Sequence, residues 1–125
     1  MPDTLKPVRL AVSADAIKAY AGITGDFNPI HVDPEFAAKT PMGGVIAHGT
    51  MSLNLVWQSI AATLGEPALR GASIDVKFVR PVRPGDTVEA GGQRTGTGDD
   101  TWDVWVRTQS GETVIAGRAS IPGVA

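Results

Sequence analysis

The sequence predicts an α+β domain in which a curved antiparallel sheet wraps around one long helix. Three observations point there. The chain has 125 residues, enough for about one domain with one core. Residues 50–64 form one long apolar stretch with helical spacing. After Gly65 the pattern changes to period two, broken by turn formers. One sheet layer on one helix is a thin core, and such domains often complete themselves by pairing with a second copy.

Each element has a local reason. Leu5 to Val12 alternates loosely and reads as a first strand. Ser13 reads as an N-cap, with Asp15 in the first turn, where it suits the helix dipole. Ile17, Tyr20 and Ala21 share a face of that short helix, and Gly22 reads as its stop. Residues 22–33 read as an irregular loop rich in turn formers. Asp33 followed by Pro34 reads as an N-cap with proline at the first helical position, opening a turn or two that Pro41, Gly43 and Gly44 end. Thr50 to Leu64 reads as the main helix, with an apolar stripe of Leu53, Val56, Trp57, Ile60 and Leu64. Ile74, Val76 and Phe78 then alternate with Asp75 and Lys77 as a strand. Pro81 and Pro84-Gly85 mark a turn, and Asp86 to Thr95 reads as the next strand. Gly98-Asp99-Asp100 reads as a hairpin turn into a strand carrying Trp102, Val104 and Val106 on one face and Trp105 on the other. Ser110-Gly111 is a hairpin signal before a last strand from Thr113 to Ile121. These four strands are expected in antiparallel succession.

Composition removes several function classes. Eleven Lys and Arg against 13 Asp and Glu leave a net charge of −2, without the basic footprint of a nucleic-acid binder. No cysteine is present, which excludes disulfides, thiolate metal sites and cysteine nucleophiles. Two histidines make a multi-histidine metal site a poor expectation. The N-terminal residues lack an apolar signal core, and Asn54 and Gln58 interrupt the most apolar stretch. The expectation is a cytoplasmic protein, residues 1–125 forming a single domain, with no membrane segment.

Polar residues with chemical potential concentrate at Asp26, Asn28 and His31. A carboxylate and an imidazole five residues apart, on a loop with Pro29 between them, can be aimed at one point and suit general acid–base work. The bland alternative is that Asp26 makes an Asx-turn and His31 is a satisfied buried polar group. A second cluster, Ala47-His48-Gly49-Thr50, stands at the start of the main helix. The first N–H groups of a helix lack intrahelical partners, and Gly49 lets an oxyanion approach closely. Here the alternative is that His48 and Gly49 only cap the helix and pack. Together the clusters fit proton chemistry alpha to a thioester carbonyl, where one group moves protons and another stabilises the enolate-like oxygen.

The run Tyr20-Ala21-Gly22-Ile23-Thr24-Gly25-Asp26-Phe27-Asn28-Pro29-Ile30-His31-Val32-Asp33 closely resembles the hydratase signature of the MaoC-like, (R)-specific enoyl-CoA hydratase family. Ala47-His48-Gly49 resembles that family's second motif, and Val76 to Val88 is similar to its later strand–turn–strand. The resemblance implies a hot-dog fold and reversible hydration of trans-2-enoyl thioesters to (R)-3-hydroxyacyl thioesters. It implies Asp26 and His31 as the catalytic dyad and the Gly49 N–H as the group polarising the thioester carbonyl. Asn28, His48 and Trp57 are assigned to substrate binding. No metal or redox cofactor is implied. The substrate is an acyl-CoA or acyl carrier protein thioester, and the assembly is a homodimer or higher homo-oligomer, with a heteromer as the alternative.

Trp57 takes the place of a small polar residue found in some hydratases, and reads either as a wall of the acyl tunnel or as core. Lys77, Arg80 and Arg83 read either as phosphate contacts or as a solvated face. The competing functions are a hot-dog thioesterase and a subunit of a heteromeric dehydratase.

Overall fold

A computed structural model describes residues 2–96 and 100–122. The chain begins with strand β1 (Thr4–Ala11) and three short helices, α1 (Ala14–Thr24), α2 (Pro29–Val32) and α3 (Pro34–Ala38). The long helix α4 (Gly49–Leu64) follows, then a 3₁₀ turn (Glu66–Leu69) and strands β2 (Ser73–Phe78), β3 (Thr87–Arg94), β4 (Thr101–Thr108) and β5 (Thr113–Ser120). The hairpin turn expected at Gly98-Asp99-Asp100 falls largely outside the described residues. No helix among the described residues is long and apolar enough to cross a membrane.

Helix caps formed where the local chemistry asked for them. Ser13 accepts a hydrogen bond from the Ala16 N–H, and Asp33 accepts one from the Phe36 N–H. The expected stop at Gly22 is corrected: α1 continues to Thr24 and ends at Gly25 (φ 73°), whose N–H reaches the Ala21 carbonyl. That left-handed turn is the geometry glycine supplies at a helix end. Residues 22–33 are also less irregular than expected. Asn28 caps the single turn of α2 by accepting from the Ile30 N–H at 3.2 Å.

The strands form one antiparallel sheet in the order β1-β3-β4-β5-β2. The expected simple succession fails at β2, which pairs with β5 and not with β3. Residues 79–86 carry the chain from β2 at one edge of the sheet to β3, which lies between β4 and the opposite edge strand β1. Pro81 and Pro84 have no N–H to offer a ladder, so this segment is held by scattered bonds instead. Val79 donates to the Val114 carbonyl, Gly85 to Val12, and Ala47 donates to the Val82 carbonyl at 2.7 Å. The last bond ties this crossing to the residue two before α4.

The core lies between α4 and the inner sheet face, where Leu55, Val56 and Ile60 meet residues such as Val88, Trp102 and Val104. The buried helix face differs from the expected stripe. Met51, Ser52, Leu55, Val56, Ser59 and Ile60 are buried, whereas Leu53, Trp57 and Leu64 are half-buried. The serines disguised the true face. Ser59 is there because β1 is irregular between Leu5 and Val8, next to Pro7. Ser59 Oγ donates to the Lys6 carbonyl, and the Lys6 N–H donates to Thr63 Oγ1 at 2.7 Å. Hydroxyls of the helix thus complete backbone bonds that the interrupted ladder leaves open.

Candidate active site

Three elements converge at the N-terminus of α4. The loop after α1 carries Asp26, the one-turn helix α2 carries His31, and His48 is the residue before Gly49. Each of Asp26, His31 and His48 offers a ligand-type atom, all within 4.8 Å of one another. The sequence-proposed pair Asp26 and His31 is therefore brought together, with His48 beside it.

Hydrogen bonds define the imidazole tautomers. His31 Nδ1 lies 2.8 Å from the Ile46 carbonyl oxygen. A carbonyl only accepts, so Nδ1 carries the proton and Nε2 of the neutral ring bears a lone pair. His48 Nε2 likewise donates to the backbone carbonyl of Asp26 at 2.9 Å, which leaves its Nδ1 bare. The two rings stack with centroids 3.9 Å apart and planes 25° apart. Asp26 is exposed, and its Oδ1 accepts from the Asn28 N–H at 3.2 Å. The Asx-turn weighed from the sequence thus exists alongside the approach to His31.

Beside this cluster is a cavity of about 350 Å³, bordered by His31, His48 and Gly49 and otherwise largely by apolar side chains such as Ile46, Phe78 and Val82. Gly49 is the first residue of α4, so its N–H has no intrahelical acceptor. The Phe78 ring lies over it: a Cβ at position 49 would sit 2.7 Å from Phe78 Cε1. Ser52, one turn further along α4, also borders the cavity, and its buried Oγ has no hydrogen-bond partner.

The remaining expected residues are placed as follows. Asn28 spends its side-chain oxygen on capping α2. Trp57 does not border this cavity; it lines a separate depression with Gln58, Glu66 and Arg70. Eight residues separate it from Gly49, about 12 Å along the helix and roughly 80° around it. Arg80 stands at the cavity edge and pairs with Glu112 at 3.0 Å. Arg83 donates to the Met42 carbonyl, and Lys77 is exposed on β2. Sequence reasoning missed Phe78 and Ser52 as parts of the site. Ser52 was signalled by its spacing of three from Gly49; nothing local marked Phe78, which arrives from the far edge of the sheet.

Comparison with known proteins follows the same lines. A family model described as MaoC like domain matches residues 2–115. The chain is 34% identical over 113 residues to a protein of Rhodospirillum rubrum named (R)-specific enoyl-CoA hydratase, covering 88% of this chain and 78% of that one. It is 41% identical over 78 residues to a 3-hydroxybutyryl-CoA dehydratase of Methylorubrum extorquens, covering 62% of this chain and only 50% of that protein. The solved structure of an (R)-hydratase from A. caviae involved in PHA biosynthesis superposes with a TM-score of 0.75 at 27% identity, covering 97% of this chain and 98% of that one.

Proposed function

The chain belongs to the MaoC-like domain family, and from that membership we propose that it is an (R)-specific hydro-lyase of 2-enoyl thioesters. Its sheet wrapped around α4 is the hot-dog fold. The single observation that carries the reading is the meeting of Asp26 and His31 beside Gly49 at the mouth of an apolar cavity. The relatives named as enoyl-CoA hydratases and dehydratases support the same reaction class.

In this reading a water donates one hydrogen bond to His31 Nε2 and another to the Asp26 carboxylate. Its oxygen lone pair then faces C3 of the enoyl group. The thioester carbonyl accepts from the Gly49 N–H, which carries the positive end of the α4 dipole and stabilises the enolate-like oxygen. Attack at C3 releases one water proton to the dyad, and the same face returns a proton to C2. The dyad ends as it began, and dehydration is the reverse path. The acyl chain enters the cavity, while the coenzyme A or carrier-protein arm stays outside, near Arg80. Exposed Ile23, Phe27 and Phe36 flank the loop and helices around the dyad and support a second copy of the chain, or a related subunit, as a cover.

The test is loss of enoyl absorbance with crotonyl-CoA and a longer enoyl-CoA, wild type beside Asp26→Asn. Hydration without thiol release, giving the (R)-3-hydroxyacyl product and dropping about 10²–10⁴-fold in the variant, is the expected result. Thiol release without hydration would instead make this a thioesterase. Unchanged absorbance with every enoyl thioester tried would overturn the reading.

A further inference from the structure

The side chain of His48 stands at an unusual place. It occupies the N-cap of α4, where a side chain normally accepts a bond from the first helical turn, yet it makes no such bond. Its ring is 3% exposed and turned toward the loop. There Nε2 donates to the Asp26 carbonyl, and the ring face stacks on His31. One side chain therefore touches both members of the dyad.

The ring is itself held from behind. Tyr20 meets it edge-on, with centroids 5.0 Å apart and planes at 61°. The Tyr20 hydroxyl is shared with Thr50 Oγ1 at 2.7 Å and receives Asn54 Nδ2 at 3.4 Å. Thr50 and Asn54 both belong to α4, so the chain of contacts runs from the helix through Tyr20 and His48 to the loop. Asp26 needs such an anchor: it is exposed, and among the described residues its carboxylate bonds locally, to the Asn28 N–H.

We infer that His48 is a positioning residue for the Asp26–His31 pair, fixing the loop to α4, and not a contact for the substrate. This rests on the hydratase reading of the pair. It revises the assignment of His48 to substrate binding: Nε2, the donor of the ring, is committed to the Asp26 backbone, and the bare Nδ1 has no proton to offer a thioester oxygen.

The two ring nitrogens allow a discriminating test. A glutamine amide nitrogen reaches about as far as Nε2, and an asparagine amide only as far as Nδ1. His48→Gln preserves the donor to Asp26; His48→Asn does not. Steady-state kinetics with crotonyl-CoA and peptide-level hydrogen exchange over residues 24–33 are measured on wild type and both variants. The expected result is kcat within a few-fold of wild type for His48→Gln. For His48→Asn, kcat falls about 10²-fold, the loss expected when a reacting group shifts by about 1 Å, with KM unchanged and faster exchange in the loop. Raised KM with unchanged kcat and exchange in either variant would make His48 a substrate contact and overturn the inference. A wild type without hydratase activity would overturn the reaction, while the exchange rates would still decide whether His48 anchors the loop: equal rates in all three proteins refute it. Melting temperatures of both variants separate loss of the anchor from loss of the fold.

Discussion

Replacing Gly49 with alanine tests the geometry of the helix terminus most directly. The added Cβ would lie 2.7, 3.0 and 3.3 Å from Phe78 Cε1, Cδ1 and Cζ. Comfortable carbon–carbon contact begins near 3.5 Å, so the ring must retreat by about 3.5 − 2.7 = 0.8 Å. Phe78 is 56% exposed and can do so at modest cost. The stability change is therefore small, since alanine in place of glycine also favours a helix by up to about 1 kcal/mol. Catalysis has less freedom. The methyl group stands beside the N–H proposed to receive the thioester oxygen, and the displaced ring borders the same cavity. A lost oxyanion donor costs about 10²–10³-fold in kcat, so Gly49→Ala is expected to lose that much with a melting temperature within a few degrees of wild type. The double variant Gly49→Ala with Phe78→Ala separates the causes, since recovery would locate the fault in the displaced ring. Activity of Gly49→Ala within about threefold of wild type would refute the role of this helix terminus.

Three further outcomes follow from the same structure. His31→Ala is expected to lose about 10²–10⁴-fold in turnover with an unchanged circular dichroism spectrum, because the group removed is the one proposed to serve proton transfer and stands on a one-turn helix. Ser59→Ala leaves the Lys6 carbonyl without its donor in a part-buried setting, and urea unfolding should show a loss of about 0.5–1.5 kcal/mol with turnover at low temperature intact. Trp57→Ala lowers the melting temperature but leaves the preference among acyl chain lengths as it was, since the indole borders a different depression; a shifted chain-length profile would place the ring in the acyl path.

The parts legible in the sequence were those whose causes are local. Ser13 and Asp33 cap helices through N–H groups three residues away, and the turn at Ser110-Gly111 joins strands that are neighbours in the chain. Asp26 and His31 were legible because one loop carries both. What escaped was decided at a distance. Gly22 and Gly25 are both competent stops, and the Thr24 hydroxyl bond to the Tyr20 carbonyl belongs to the longer choice. β2 joins β5 because of ladder bonds some 40 residues away, which no window of sequence around Ile74 can express. The buried face of α4 was misread because Ser59 and Thr63 answer a backbone irregularity in β1, more than 50 residues earlier. The cradle for Asp26 escaped for the same reason, since 22 residues separate it from His48.

The crossing from β2 to β3 gives this fold a way to diversify. The proposed dyad stands on the loop and one-turn helix that precede α4, whereas Phe78, Val79 and Val82 on the cavity wall belong to the crossing and its entry. The two regions are joined by main-chain bonds such as those from the Ala47 N–H to the Val82 carbonyl and from the Gly85 N–H to the Val12 carbonyl, which are indifferent to side-chain identity. Mutation can therefore reshape the pocket proposed to take the acyl group while the proposed proton-handling residues keep their positions. On the proposed function, selectivity and reactivity are inherited on separate stretches of one chain, free to drift at different rates.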